Sequence, residues 1–222
     1  MADRVAIVTG GARGIGRAIA VALARDGRSV AIGDLLEDEA RAAADEIAAG
    51  NGRAVALPLD VTDAASVANA VERVEREVGP VDILVNNAGW DEMRRFVDTD
   101  EAFWDRVIEI NYKGCLRMTR AVLPGMAERG FGRIVSIGSD AGRVGSSQEA
   151  VYSGAKGAVI AFMKTIARES ARRSVTANTV CPGPTDTPLV RQMAEEQENA
   201  SKVMEAMAVS YTHLTLPTIL LV

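Results

Sequence analysis

The chain has 222 residues, 48% hydrophobic and 25% charged, which suits one well-buried globular domain and crowds two. A formal net charge of −5 argues against a nucleic-acid partner, because phosphate-backbone binders usually carry a basic face. No apolar run approaches the ~20 residues that span a bilayer, and a strand-like run begins too early to leave space for a signal peptide. No membrane partner and a cytoplasmic location are therefore expected. Cys115 and Cys181 have no CxxC neighbour, and the single histidine, His213, lies close to the end of the chain. A disulfide framework, a histidine-based triad and a histidine metal site are all disfavoured. Acid–base chemistry falls to Tyr, Lys, Asp or Glu, and no metal is expected.

Short Val/Ile-rich runs alternate with longer helical patterns, as in repeated βαβ units. The first strand, Arg4–Val8, leads into Thr9-Gly10-Gly11-Ala12-Arg13-Gly14-Ile15-Gly16 and then a helix. Glycines there permit a tight turn and close approach of backbone to a pyrophosphate, and the helix start supplies free N–H groups. An ordinary glycine-rich strand–helix turn has the same composition. The spacing Gly-x-x-x-Gly-x-Gly differs from the Gly-x-Gly-x-x-Gly fingerprint of other dinucleotide binders. The second strand, Ser29–Ile32, ends near Asp34, 18 residues past Gly16. A carboxylate at that offset can accept bonds from adenosine ribose hydroxyls and would repel a 2′-phosphate. The charge argument favours NAD over NADP, although Arg13 could pair with a 2′-phosphate.

A third strand spans Ala54–Leu57, and Val67, Val71, Val74 and Val78 then share one face of a helix. After the strand Val81–Val85 comes a helical stripe of Phe103, Val107, Asn111 and Cys115, each four residues apart. Asn111 on that stripe is either a satisfied core amide or an amide ordering a water. Strand Arg133–Ile137 leads to Ser139, placed at the same sheet edge as the glycine loop. Tyr152 and Lys156 are four apart on a predicted helix, so they share a face. An ammonium beside a phenol favours the phenolate and draws the tyrosine pKa down. The last strand is Val175–Val180. All six read as continuous apolar runs, so the expected architecture is α/β: a doubly wound parallel sheet between two helical layers, with its crevice at the carboxyl ends of the strands.

Thr9–Gly16, Asn86-Asn87-Ala88-Gly89, Asn111, Ser139, Tyr152-x-x-x-Lys156 and Pro182-Gly183-x-x-x-Thr187 stand in the order and spacing of a known family. From about Arg4 to Ala208 the chain resembles the short-chain dehydrogenase/reductases, which are Rossmann-like NAD(P)-dependent oxidoreductases. The resemblance implies that Tyr152 is the acid/base at the carbinol oxygen. Lys156 lowers its pKa and binds the nicotinamide ribose. Ser139 orients the substrate oxygen, and Asn111 anchors a relay water. Gly10, Arg13, Gly14, Ile15, Gly16 and Asp34 belong to the cofactor site. Asp60 and Val61 flank the adenine, Asn87, Ala88 and Gly89 line the floor, and Pro182, Gly183 and Thr187 reach the carboxamide.

Asn86–Asp91, Ser139-Asp140-Ala141, Arg143–Ser147, Glu149–Tyr152 and Val180–Thr187 further resemble the 2-hydroxycyclohexanecarboxyl-CoA dehydrogenases within that family. This implies a 3-hydroxyacyl-CoA substrate, with Trp90, Asp140 and Glu149 in its pocket. Arg94, Arg95, Arg143 and Arg191 are cations near the predicted mouth of the crevice, where they are either solvated or in reach of the CoA phosphates. The alternatives are a 3-oxoacyl-[acyl-carrier-protein] reductase using NADPH and, from another class, a nucleotide-binding protein without turnover. The latter has no need of the full Asn–Ser–Tyr–Lys set. A homotetramer or dimer is typical of the family. Its members usually add, after the helix containing Met204 and Met207, a further helix and a seventh strand. Here the resemblance stops near Ala208, so residues 1–208 are expected to form the domain, without that strand. Residues 209–222 look appended.

Overall fold

A strand that is apolar at every position is stable only when both its faces are covered, and parallel crossovers provide that cover. The structure, a computed structural model, describes residues 4–195 and bears this out at the centre of the sheet. Six parallel strands run in the order β3-β2-β1-β4-β5-β6. They are β1 (Val5–Thr9), β2 (Ser29–Asp34), β3 (Arg53–Pro58), β4 (Val81–Asn86), β5 (Gly132–Ile137) and β6 (Val175–Val180). β1 is buried at all five positions. β3 and β6 depart from the expectation of two covered faces. Both are outer strands among the described residues, and Val180 on β6 remains 52% exposed.

Helices α1 (Gly14–Arg25) and α2 (Glu37–Ala49) lie on one face, where Ala20, Ala24, Ala40 and Ala43 pack against Val8, Val30 and Ile32. Small alanines let these helices approach the sheet closely. The opposite face carries α3 (Ala64–Glu77), α5 (Gly114–Arg129) and α7 (Ala150–Ser170). There Val67, Val71, Val74, Met118, Val122, Met126, Val159 and Met163 cover Ile7, Leu84 and Ile134. The predicted valine face holds, with Val78 packed at its edge as the helix terminates. Ile134 in β5 is fully buried. Ile134→Ala should therefore cost ~2–5 kcal/mol, read from the denaturant midpoint. A loss well under 1 kcal/mol would show that this layer is loosely packed.

The second helical stripe is less regular than its spacing predicts. Between α4 (Glu101–Ile108) and α5, residues Glu109–Lys113 form a π-helical turn that carries Asn111. Short helices α6 (Ala141–Val144) and α8 (Pro188–Glu195) complete the described chain. The helix around Met204 and Met207, the 209–222 segment and His213 lie outside the described residues. Among the described residues no helix is long and apolar enough to cross a membrane.

Candidate active site

At the carboxyl ends of the strands lies a cleft of about 1160 Å³. One end is built by the β1–α1 loop. Gly10 and Gly14 adopt φ of +61° and +56°, a conformation glycine reaches without strain. A Cβ at Gly10 would stand 2.9 Å from the Ala88 Cα, so the loop and the end of β4 touch backbone to backbone. Asn87 locks them together. Its amide donates to the Thr9 and Gly10 carbonyls at 3.0 and 2.8 Å, while the Thr9 hydroxyl accepts from the Asn87 and Ala88 N–H groups, each at 3.0 Å. Gly14 and Ile15, at the start of α1, line the cleft. No side chain caps that helix and its first turn carries no acidic residue. Its free N–H groups and positive dipole end thus fit an anion such as a pyrophosphate.

Asp34 sits where β2 ends, its carboxylate accepting from Ala12 N and Leu36 N at 3.0 Å each. Arg13 is exposed on the same rim. Asp60 and Val61 line the adjoining wall. Asp60 Oδ1 is engaged with the Thr62 N–H and hydroxyl at 2.8 and 2.7 Å. Gly16 lies behind the loop rather than on the cleft surface. A Cβ there would fall 2.1 Å from the Gly10 carbonyl oxygen. This cradle, with glycine backbone at its loop and a carboxylate closing its far end, fits a dinucleotide.

The other end gathers Ser139, Tyr152, Lys156, Pro182, Gly183 and Thr187. Tyr152 and Lys156 share one face of α7, as their spacing predicts, with Lys156 Nζ 5.5 Å from the phenol ring centre. Lys156 is buried and donates to the Ile137 carbonyl at 2.9 Å. Burial pulls its pKa down to about 8. The phenol is shifted opposite to the expectation: burial raises its pKa, Glu149 and Asp91 add to the rise, and only the Ser139 hydroxyl opposes it. The reason is that desolvation and two carboxyls outweigh the Ser139 hydroxyl, while Lys156 is directed to the Ile137 carbonyl. Thr187 caps α8, accepting from Val190 N at 3.3 Å.

The Asn111 side chain is spent on protein. It donates to the Trp90 and Val107 carbonyls at 2.6 and 2.9 Å and accepts from Trp90 N at 3.3 Å. Of the two sequence readings of this amide, the satisfied core asparagine is the one the contacts describe. Asn111 nevertheless stands near the site, because a Cβ at Gly89 would lie 2.9 Å from its Oδ1 and 3.5 Å from Lys156 Nζ.

Trp90 and Glu149 line the cleft as expected, whereas Asp140 is not among its lining residues. The Asp140 carboxylate turns to Arg143, 3.1 Å away, because α6 places them one turn apart. The four arginines predicted near a phosphate handle are also off the cleft surface. Each is paired instead: Arg94 with Glu92, Arg95 with Asp98, Arg143 with Asp140 and Arg191 with Asp186. Nearby carboxylates on the same short segments satisfy them first. Of the lining residues that the sequence reading did not single out, two are ionisable side chains next to Trp90. Arg106 lies 3.7 Å over the Trp90 ring, and Asp91 is buried beside the Asn86–Gly89 run that signals its location.

The family model of the short chain dehydrogenases matches residues 4–198. The chain is 40% identical over 194 residues to the 3-oxoacyl-[acyl-carrier-protein] reductase FabG of Escherichia coli (strain K12), covering 87% of this chain and 78% of that one. It is 40% identical over 197 residues to the acetoacetyl-CoA reductase of Shinella zoogloeoides, covering 89% and 80%. Its fold superposes on a short-chain type dehydrogenase/reductase from Mycobacterium marinum with a TM-score of 0.83 at 31% identity, over 86% of this chain and 77% of that one. With motifs, topology and relatives in agreement, this chain belongs to the short-chain dehydrogenase/reductase family, whose members are NAD(P)-dependent oxidoreductases acting on CH–OH groups.

Proposed function

We propose that this protein interconverts a 3-hydroxyacyl thioester and its 3-oxoacyl counterpart, with NAD as the preferred cofactor. One observation carries the proposal: Ser139, Tyr152 and Lys156 converge at one end of a cleft whose other end holds the glycine loop and Asp34. NAD, when bound, supplies the hydride chemistry. Tyr152 Oη takes the proton of the substrate hydroxyl during oxidation and returns it during reduction. The Ser139 hydroxyl, already hydrogen-bonded to the phenol, orients the substrate oxygen. Lys156, held by the Ile137 carbonyl, binds the nicotinamide ribose from beneath Tyr152. Asn111 acts by fixing Trp90 and the wall it belongs to. Gly10–Gly16 and Asn87–Gly89 receive the phosphates and the cofactor floor, Asp60 and Val61 flank the adenine, and Thr187 meets the carboxamide beside Pro182 and Gly183.

Asp34 favours NAD because a ribose diol can donate to its carboxylate, whereas a 2′-phosphate would be repelled. NAD should be preferred by at least ~1.4 kcal/mol, roughly tenfold. Asp34→Ala should narrow that gap. Equal kcat/KM for NADP in the unaltered protein would contradict the assignment.

For the substrate, the named reductases among the relatives share a 3-oxoacyl thioester. The wall formed by Trp90, Met93, Val144, Leu189 and Met193 suits an apolar acyl group. An alicyclic one, as in 2-hydroxycyclohexanecarboxyl-CoA, is the form we favour. The second reading is reduction of a 3-oxoacyl-[acyl-carrier-protein] with NADPH, favoured by the FabG relative. A panel of acyl-CoA and acyl-carrier-protein thioesters with each cofactor separates the two. A homotetramer or dimer is the proposed assembly, to be read by light scattering.

A further inference from the structure

Asp91, five residues beyond the end of β4, is only 3% exposed although it belongs to the cleft wall. Among the described residues its Oδ2 meets no N–H or O–H donor. What the carboxyl does meet, besides the Glu92 N–H, is the carboxyl of Glu149, at hydrogen-bonding contact. That neighbour is held in place. Gln148, just before it, adopts the left-handed φ of +66° and accepts from Arg94 N at 2.9 Å, which ties the loop after β4 to the loop before α7. The Glu149 carbonyl in turn accepts from Ser153 N at 2.8 Å in the first turn of α7.

Two carboxyls can hydrogen-bond each other only when one of them carries a proton. Burial decides which. Asp91 is nearly sealed from water, whereas Glu149 is half-buried at the cleft mouth. Desolvation first, and Glu149 after it, push the Asp91 carboxyl up to about 8. The other charges around it are Glu92, which pairs with Arg94, Lys156 on α7, and Arg106, which reaches the Trp90 ring from α4. Neither of the two cations, Lys156 and Arg106, donates to Asp91 Oδ2.

We propose that Asp91 stands protonated, donates its hydrogen bond to the Glu149 carboxylate, and that this singly charged pair is a positioning element holding Tyr152 in its proton-bearing form. The proposal rests on the acid/base role given to Tyr152 above. Its consequence is directional. A phenol kept protonated is ready to act as the acid in reduction, while oxidation needs the phenol ionised against the charge of the pair.

Infrared difference spectroscopy on the protein tests the proton directly. At pH 7 the unaltered chain should show a protonated-carboxyl C=O band that is sensitive to D2O and vanishes as pH rises through about 8. Asp91→Asn should lack it and Tyr152→Phe should keep it. Absence of that difference at pH 7 overturns the proposal. The pH profile tests the coupling. In the double variant Asp91→Asn/Glu149→Gln, an amide pair of similar shape without charge, the midpoint of the oxidation profile should move down by about one pH unit or more, because both carboxyls are ionised by the pH at which the phenol loses its proton. A rate lowered equally at every pH, with the midpoint unmoved, would mark the pair as merely structural and overturn the coupling. If instead Tyr152→Phe proves fully active, the acid/base assignment fails, and the infrared result on Asp91 still stands or falls separately.

Discussion

Tyr152→Phe should lower turnover by ~10²-fold or more, in the range for a lost general acid–base group, while NADH binding followed by fluorescence persists. The substitution keeps the ring, and with it the packing of α7 beside Lys156, whose Nζ lies 5.5 Å from the ring centre. It removes one oxygen, the one that hydrogen-bonds to Ser139. Because Lys156 is anchored independently by the Ile137 carbonyl at 2.9 Å, its ribose contact should survive the change. Loss of both turnover and cofactor binding would mean that the phenol is structural. Turnover at the unaltered level would move the proton to another group.

Gly16→Ala should weaken cofactor binding by at least about tenfold and destabilise the fold by ~1–3 kcal/mol, the usual cost of forcing atoms into a packed site. A methyl at this position would stand 2.1 Å from the Gly10 carbonyl oxygen and 2.5 Å from Asn87 Nδ2. The first contact is backbone and cannot rotate away. The second is the amide that ties Thr9 and Gly10 to the end of β4, so relief of the clash displaces the whole cradle. Gly154→Ala is the matched control. It lies exposed on α7 with nothing within 4 Å of the added methyl, and should gain up to ~1 kcal/mol from helix propensity. Titration of NADH and a thermal melt on both variants check this. Unchanged affinity in Gly16→Ala would show that the loop yields without cost.

The order of strands and helices was legible because a buried parallel sheet demands apolar runs, and a helix covering it demands a 3.6-residue stripe. Val175–Val180 was placed at its observed bounds, and the other five strands within one or two residues. Edge exposure was not legible. Val180 reads as apolar as any central valine, and only the pairing of β6 with β5 alone among the described strands explains why it is exposed. The π-helical turn at Glu109–Lys113 was likewise hidden, since Phe103, Val107, Asn111 and Cys115 keep a regular spacing of four through it.

In the site, local sequence sufficed wherever a residue's task follows from its own segment. Glycines at a strand–helix turn, a carboxylate at a strand end and a Tyr–Lys pair one helical turn apart all announce themselves, because backbone geometry fixes what such neighbours can reach. Tertiary structure decided everything that depends on distant partners. It consumed the Asn111 amide on Trp90, turned Asp140 to Arg143 and paired the four surface arginines with carboxylates. It also reversed the expected shift of the Tyr152 phenol and set Asp91 against Glu149, 58 positions along the chain by subtraction of their numbers. Charge and desolvation act through space over a few ångströms, and in this fold those ångströms separate residues that the chain keeps far apart.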